Sequence, residues 1–336
     1  MKKNKNNGFE NLHPDIFITA VEHALGKQMS GLAFPLSSYI NRVYELQAMD
    51  GVRYVAKFYR PGRWSRQALV DEHNFVLDCE SEEIPVVSPL ILSNGETLDD
   101  TNGIYFAVFP KKLGRSFELI EDEDWKRVGG ILGRLHNVGA KRKAHARIKH
   151  HPEASTKEEI EFLLSGNFIP KNFYSEFKNL SKNILDEITS LFKDVEYIRT
   201  HGDCHYGNIL FRPEEGVMLI DFDDMLMAPP VQDLWLVLPD HTTNSKKEID
   251  SMLDGYEQFR EFDYFTLRLI EPLRIMRMIY FLSWLAKQAD DFKFQQNFPT
   301  WGTESYWRQE INDLQKQLNI INGKLRINNI NSCDLF

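Results

Sequence analysis

The sequence has few cysteines and no long apolar run. Cys79, Cys204 and Cys333 are widely spaced and include no Cys-x-x-Cys pair, so neither a disulfide framework nor a zinc site is predicted. Without 18 consecutive apolar residues, no membrane-spanning helix is expected. The basic start of the chain is not followed by an apolar stretch, so it is not expected to be a signal peptide. These absences favour a protein of the reducing cytoplasm that does not enter a membrane.

Positive charge is also scarce. The 40 Lys and Arg residues are outnumbered by 49 Asp and Glu residues, which gives a formal net charge of -9. Nucleic-acid binding needs a surplus of cations, so nucleic acid is not an expected partner. The local exception is the basic stretch 141–151, which we interpret as a solvated connection. The alternative for that stretch is that it binds an acidic protein or nucleic acid.

The predicted elements change in character near residue 110. Before it, helices are predicted at 14–25 and 65–79, and strands at 32–59, 86–92 and 104–109, with a hairpin turn at Asp50-Gly51. After it, short strands are predicted around 198–221 and helices at 122–136, 156–164, 172–192, 231–238, 246–260, 264–289 and 303–321. This order predicts an α+β protein of 336 residues with two lobes. The N-lobe, 12–110, has an antiparallel sheet plus helix, the C-lobe, 111–325, is mainly helical, and 1–11 and 326–336 are disordered tails.

The segment 201–221, HGDCHYGNILFRPEEGVMLID, contains the residue types that phosphoryl transfer needs. Asp203 precedes Asn208 in the pattern Asp-x-x-x-x-Asn, and Asp221 follows thirteen residues later. In such a reaction a carboxylate accepts or orients the proton of the attacking hydroxyl, while an amide oxygen and a second carboxylate hold Mg²⁺. We therefore predict Asp203 as the catalytic base, and Asn208 and Asp221 as Mg²⁺ ligands.

The residues around these three have more modest interpretations. His201 is predicted to support the loop through a hydrogen bond rather than to react. For Asp223 and Asp224, extra metal ligands and a solvated loop remain equal alternatives. His205 is interpreted as a packing or loop residue. Asp233 is interpreted as structural, a helix cap or a brace for the catalytic loop.

Lys57 lies inside an apolar strand, where an ammonium is costly unless it is paired. Glu72 is its predicted partner, because it falls on the buried stripe of the 65–79 helix. The pair would direct Lys57 onto the α- and β-phosphates of a nucleotide. The alternative is a surface ion pair of little energetic weight.

The sequence lacks a Gly-x-Gly-x-x-Gly loop for phosphate. The turn 35–41, PLSSYIN, stands in the corresponding place, and its small hydroxyl residues could leave backbone N–H groups available to phosphate. Ser38 is the predicted nucleotide contact, with a plain hairpin turn as the alternative. Phe109-Pro110 is placed where the backbone of a hinge would meet adenine.

The catalytic segment resembles the H-R-D-x-x-x-x-N and D-F-G motifs of protein kinases. Gly202 and Asp223 replace the Arg and Gly of those motifs, as is typical of the aminoglycoside-phosphotransferase and choline-kinase branch. Strings along almost the whole chain, from residue 13 to about 320, resemble the bacterial stress response kinase A family. They are SYINRVYEL, VAKFYRPGRW, FAVFP, HGDCHYGNIL, VQDLWLVL and EPLRIMRMIYFLSWL.

This resemblance implies a protein-kinase-like fold and a cytoplasmic Ser/Thr protein kinase of the stress response, with ATP and Mg²⁺ as cofactors. It places the proton acceptor on Asp203, the metal ligands on Asn208 and Asp221, and the ATP-contacting serine on Ser38. Asp221 is also implied as an active-site residue. The expected partners are ATP and proteins with a Ser or Thr hydroxyl, with the chain itself among the candidates, and a monomer is expected.

Two alternatives remain. The first is a small-molecule kinase for an amino-alcohol or sugar hydroxyl, because the acidic loop Asp221-Phe222-Asp223-Asp224 could suit a cationic acceptor. The second is a catalytically inactive scaffold. The scaffold is disfavoured by a set of residues that it would not need to keep: Lys57, Glu72, Asp203, Asn208 and Asp221.

Overall fold

A computed structural model of the protein describes residues 8–289 and 294–328. The chain forms two compact units. The first consists of Met1–Arg147, Ile198–Met227 and Lys247–Phe262, and the second of Ile148–Tyr197, Ala228–Lys246 and Asp263–Phe336.

Helices and strands alternate early in the chain, and helices dominate later. The helices are α1 Pro14–Leu25, α2 Arg66–Ser81, α3 Asp122–Lys141, α4 Lys157–Ser165, α5 Lys171–Ile188, α6 Gln232–Trp235, α7 Lys246–Tyr256, α8 Ile270–Gln288, α9 Phe294–Asn297 and α10 Glu304–Asn328. The strands are β1 Met29–Leu36, β2 Arg42–Ala48, β3 Arg53–Phe58, β4 Asp99–Thr101, β5 Ile104–Pro110, β6 Arg115–Ser116, β7 Ile198–Thr200, β8 Ile209–Arg212, β9 Gly216–Leu219 and β10 Leu226–Ala228. The predicted α+β class is confirmed.

The first unit contains an antiparallel sheet in the order β1-β2-β3-β5-β4. Its apolar face packs on α1, where Phe17 stacks on Tyr44 with ring centroids 4.1 Å apart. Lys57 lies on a central strand, opposite Val43 of β2 and Ala107 of β5. The sheet therefore holds Lys57 rigidly from both sides, because both of its neighbouring strands are hydrogen-bonded to β3.

Helix α2 also agrees with its prediction. It begins after Ser65, whose hydroxyl accepts a hydrogen bond from the Ala68 N–H at 3.2 Å. Such a cap satisfies one of the backbone donors that a helix start leaves unpaired. The helix buries a stripe that includes Glu72 and His73.

Two other predicted elements are wrong or shorter than expected. Residues 86–92 do not form a strand: only Val86 makes an isolated parallel bridge, to Leu219. Pro89 interrupts this stretch and cannot donate to a ladder, which explains the irregular path. The helix predicted at 231–238 is reduced to α6, Gln232–Trp235.

The predicted tails fall partly outside the described residues, which exclude 1–7 and 329–336. Within the first tail, Phe9 is only 8% exposed and belongs to the core on α1 and the sheet. Its aromatic ring also lies 4.9 Å from the Arg42 guanidinium. The second predicted tail begins inside α10. The lobe boundaries at 12–110 and 111–325 stay predictions.

The second unit is helical. Its core combines faces of α4, α5, α8 and α10, with Phe177 and Trp307 in an edge-to-face contact. Glu271 on α8 is buried and accepts hydrogen bonds from His241, Thr242 and Gln317. These bonds join the 241–242 turn and α10 to one helix. Over the described residues, every helix is too short or too polar to serve as a membrane crossing.

Candidate active site

A cavity of about 750 Å³ in the first unit is lined by every predicted site residue except Asn208. Ser38, Lys57, Glu72, Asp203 and Asp221 all line it. Apolar side chains from the sheet and from β8 and β9 line the remainder: Val43, Val55, Phe109, Leu210 and Met218. The cavity thus combines an apolar wall with a charged end, which is the composition that a ligand with a flat ring and an anionic group requires.

His201 supports the catalytic loop as predicted. It is fully buried, and its Nε2 lies 2.9 Å from the Ile220 carbonyl oxygen. Its Nδ1 accepts a hydrogen bond from the Asp203 N–H at 3.3 Å. A neutral ring with its proton on Nε2 satisfies both bonds. His201 therefore connects the start of the catalytic loop to the strand end that precedes Asp221.

Asn208 is oriented by the same loop. The side-chain Nδ2 of Asn208 donates to the main-chain carbonyl oxygen of Asp203 at 2.9 Å. The main-chain carbonyl oxygen of Asn208 accepts from the Ile220 N–H at 3.1 Å. Because the amide nitrogen is used within the loop, the side-chain oxygen is the atom left to act as a ligand. A hydrogen bond between Asn208 and Asp203 thus closes the short loop that connects them.

His205 contacts the predicted base, which the sequence analysis missed. Its Nδ1 accepts from the Gly207 N–H at 3.0 Å, which leaves the proton on Nε2. This Nε2 lies 3.4 Å from Oδ2 of Asp203. The Asp203 side chain is 22% exposed, so it remains reachable from the cavity.

Gly202 explains why this position cannot hold the arginine of ordinary protein kinases. Its backbone has φ of +84°, in the left-handed region that favours glycine. A Cβ at this position would lie 2.1 Å from the carbonyl oxygen of Asp224. The catalytic loop therefore passes so close to the 221–224 loop that only glycine fits.

Lys57 contacts different carboxylates from the one predicted. Its Nζ lies 2.9 Å from Oδ1 of Asp221 and 3.3 Å from Oδ1 of Asp223. Burial disfavours the ammonium, but Asp221, Asp223 and Glu72 together hold the pKa of Lys57 well above its usual value. The predicted direct pair with Glu72 is therefore replaced by the two loop carboxylates, and Glu72 acts on Lys57 only through its field.

Glu72 instead pairs with Arg147, whose Nη2 lies 2.6 Å from Oε2. Both side chains are buried, at 4% and 0% exposure. Burial raises the pKa of Glu72 to about 7, although the charges of Lys57 and Arg147 favour its ionised form. Arg147 belongs to the basic stretch 141–151, so the interpretation of that stretch as a solvated connection is wrong at this residue.

At Asp223 the acidic loop is buried rather than solvated. This side chain is 7% exposed and lies against Lys57, Arg63 and the Asn41 amide. Burial would raise the pKa of Asp223, but Lys57, Arg63 and Arg147 outweigh it and lower that pKa below its ordinary value. Arg63 also pairs with Asp224. No spacing rule could have identified Asn41, Arg63 or Arg147, since each is a single polar residue far along the chain from the loop.

Ser38 lies at the rim of the cavity, within the turn that connects β1 and β2. Its Oγ accepts a hydrogen bond from the Asn41 N–H at 3.3 Å. This bond shapes the turn, in the way that serine hydroxyls commonly stabilise turns. The turn therefore has a defined form from which backbone N–H groups can face the cavity.

The charged end of the cavity has oxygen ligands of the kind that Mg²⁺ prefers. Across residues 8–289 and 294–328, no three His, Cys, Asp or Glu side chains are grouped so as to hold a metal by themselves. Asn208 and Asp221 offer oxygen ligands, and the Asp221 side chain is 55% exposed. Mg²⁺ is commonly bound through one or two protein oxygens plus phosphate and water oxygens. The residues present fit this cation in the presence of a phosphate ligand.

His73, beside Glu72 on α2, provides a test of the buried network. Its ring nitrogens lie 2.8 Å from the Tyr59 hydroxyl and 2.8 Å from the Thr97 hydroxyl. Burial, with the charges of Lys57 and Arg147, lowers its pKa to about 3. Because the unfolded chain binds a proton near pH 6.5, this histidine should stabilise the fold fully above pH 6.5 and progressively less down to pH 3.

We expect the stability difference between the wild type and His73→Gln to shrink by about 2 kcal/mol between pH 7 and pH 5. Urea unfolding at a series of pH values measures this difference directly. The comparison of variants is needed because the raised pKa of Glu72 acts in the opposite direction over the same range. His145→Gln, at an exposed histidine, is the matched control and should parallel the wild type. A constant difference for His73→Gln would contradict the prediction.

Comparisons with known proteins identify the family of the chain. The family model described as "Phosphotransferase enzyme family" matches residues 32–270. Stress response kinase A of Escherichia coli (strain K12) is 37% identical over 319 residues, which is 93% of this chain and 94% of that protein. Serine/threonine protein kinase RdoA of Salmonella typhimurium (strain LT2) is 36% identical over 318 residues, with the same coverage.

Solved structures show the same fold at low sequence identity. The amicoumacin kinase hAmiN, in complex with AMP-PNP, Ca²⁺ and Ami, aligns with a TM-score of 0.68 at 18% identity, over 89% of this chain and 93% of that chain. The microcompartment-associated aminopropanol kinase aligns with a TM-score of 0.68 at 13% identity, over 95% and 99%. The α+β fold is thus that of these kinases. With the family match and the close relatives, the chain belongs to the phosphotransferase enzyme family, among the relatives of stress response kinase A.

Proposed function

We propose that this protein is a Mg²⁺- and ATP-dependent Ser/Thr protein kinase of the stress response kinase A type. The observation that carries the proposal is the grouping of Lys57, Asp203 and Asp221 at one cavity, with Asn208 bonded to the same loop. Relatives at 36–37% identity over 93% of the chain bear the names stress response kinase A and Ser/Thr protein kinase RdoA. We further propose a cytoplasmic monomer, with 12–110 binding nucleotide and 111–325 contributing the catalytic and acceptor-binding residues.

The site residues then have distinct roles. The apolar wall takes the adenine ring, and Lys57 and the Ser38 turn bind the phosphates. Asn208 and Asp221 would hold Mg²⁺, which when bound neutralises charge on the phosphates. Glu72 acts through its field on Lys57 and keeps the lysine protonated, together with Asp221 and Asp223.

Asp203 orients the acceptor hydroxyl and takes its proton. The hydroxyl oxygen forms a bond to the terminal phosphorus, the bond from that phosphorus to the bridging oxygen breaks, and ADP leaves. His205 lies beside this carboxylate, with its Nε2 3.4 Å from Oδ2 of Asp203. Asp221 is the second catalytic carboxylate in this proposal through its place beside Lys57 and the phosphates.

A small-molecule kinase is the second candidate, and the fold neighbours favour it. Amicoumacin kinase and aminopropanol kinase are named for small acceptors. One argument for it is weakened, because Asp223 and Asp224 of the acidic loop are not open to a cationic acceptor. Asp223 is buried against Lys57 and Arg63, and Asp224 also pairs with Arg63. A cationic acceptor would have to displace these arginine contacts to bind there.

The acceptor class can be tested by supplying both kinds of acceptor to one preparation. The protein is incubated with labelled ATP and Mg²⁺, with a generic basic protein in one arm and a panel of amino alcohols and sugars in the other. We expect label on Ser or Thr of the basic protein or of the enzyme itself, and loss of that label when Mg²⁺ is chelated. ADP release that rises at least about tenfold with an amino alcohol, with no labelled protein, would support the second candidate.

A further inference from the structure

The segment 141–147 lies along α2 and matches its acidic residues. Arg142 pairs with Asp78, and the Ala146 N–H donates to Asp71 at 3.0 Å. Two further pairs lie at the ends of the segment: Lys141 with Glu82, and Arg147 with Glu72. The pairs made by Lys141 and Arg142 involve exposed lysine and arginine side chains and contribute little to stability. The pair between Arg147 and Glu72 is buried and belongs to the active-site network.

Arg147 uses each of its three nitrogens for a different acceptor. Nε donates to the Ala68 carbonyl oxygen at 2.8 Å, Nη1 to the Asp223 carbonyl oxygen at 2.8 Å, and Nη2 to Glu72. The guanidinium also lies 4.2 Å from the centre of the Trp64 ring. A planar guanidinium offers five donors in a fixed geometry, which a lysine cannot reproduce. One side chain therefore fixes the first turn of α2, its glutamate and the main chain of the acidic loop.

Through these contacts Arg147 acts on the positions of Asp221 and Lys57, although it touches neither side chain. The main chain at Asp223 is two residues from Asp221, the proposed metal ligand. Lys57 in turn contacts both Asp221 and Asp223. If the guanidinium were absent, the buried Glu72 would lose its nearest cation and the Asp223 carbonyl would lose a charge-assisted donor. The loop and α2 would then lose their polar connection through Arg147 and keep the edge-to-face contact of Phe75 with Phe222.

We propose that Arg147 is a positioning residue for phosphoryl transfer, joining α2 to the 221–224 loop and thereby setting the places of Asp221 and Lys57. It does so in place of the direct Lys57–Glu72 pair. The inference deepens the proposed function and rests on it for its catalytic part. The positional part, that Arg147 holds the loop to α2, stands on the contacts alone.

The test compares Arg147→Met and Arg147→Lys with the matched control Arg142→Met, at the exposed arginine of the same segment. Replacement of groups that orient metal ligands commonly costs about 10–100-fold in metal affinity or activity. We expect Arg147→Met to raise the half-saturating Mg²⁺ concentration about tenfold and to lower kcat by about 10–100-fold. Arg147→Lys should recover part of both, and Arg142→Met should stay within about twofold of the wild type.

Two further readouts make the result decisive. Hydrogen exchange should be faster at 66–72 and 221–225 in Arg147→Met, but not in Arg142→Met. The Mg²⁺ dependence of ADP binding, measured by calorimetry, should shift as the kinetic one does. A lower melting temperature with unchanged Mg²⁺ dependence, unchanged kcat per folded molecule and unchanged exchange at 221–225 would overturn the proposal. If the wild type transfers no phosphate, the proposed function fails. Hydrogen exchange and the Mg²⁺ dependence of ADP binding then still test whether Arg147 holds the loop to α2.

Discussion

Replacement of Asp203 by Asn is expected to lower kcat for phosphate transfer by about 10²–10⁴-fold, the range over which a positioned general base acts. Asn has nearly the same shape but cannot take a proton from the acceptor hydroxyl. The bonds that shape the loop use the main chain of Asp203, whose N–H donates to His201 and whose carbonyl accepts from Asn208. The variant should therefore fold like the wild type and bind MgADP within about twofold of its affinity.

Steady-state transfer from labelled ATP and calorimetry with MgADP measure the two quantities separately. Asp250→Asn, at an exposed aspartate on α7, is the control for loss of a carboxylate as such and should retain full activity. A kcat for Asp203→Asn within about tenfold of the wild type would remove Asp203 as the base. A parallel loss of MgADP affinity and kcat would instead assign it a role in nucleotide binding.

The sequence predicts the elements of the fold well where a pattern is local. Helix α2 is predicted because apolar residues recur on one face of the stretch 65–79. The strand predicted at 86–92 is wrong because the stretch is apolar but contains Pro89, which has no N–H to donate to a ladder. The burial of Phe9 is missed for another reason: the core that receives this ring is built by residues far along the chain.

The same distinction holds at the site. The motif Asp-x-x-x-x-Asn predicts the contact between Asp203 and Asn208, because a short loop brings neighbours in sequence together. The requirement that Lys57 be paired is also predictable from its burial. Its choice of Asp221, which is 164 residues away, over the nearer Glu72 is not. Glu72 pairs instead with Arg147, and nothing in the sequence connects Arg147 to α2.

Substitution of Gly202 by Ala should be among the most damaging single changes in the protein. The left-handed backbone alone costs an alanine about 1–2 kcal/mol. The added Cβ would lie 2.1 Å from the Asp224 carbonyl oxygen, so backbone must move, at about a further 1–3 kcal/mol. We expect a total loss of about 2–5 kcal/mol in the free energy of unfolding, together with a loss of activity because the shift separates Asp203 from the acidic loop.

Gly216, the first residue of β9, provides the matched control. Its φ of +78° is close to the +84° of Gly202, but nothing lies within 4 Å of a Cβ built there. Gly216→Ala should therefore cost only the backbone term of about 1–2 kcal/mol and leave kcat unchanged. Urea unfolding and steady-state kinetics of the two variants isolate the contact with Asp224, because the backbone term is common to both. Equal destabilisation by the two alanines would mean that the loops can separate freely, and the close approach would then have no role in holding Asp203 beside the 221–224 loop.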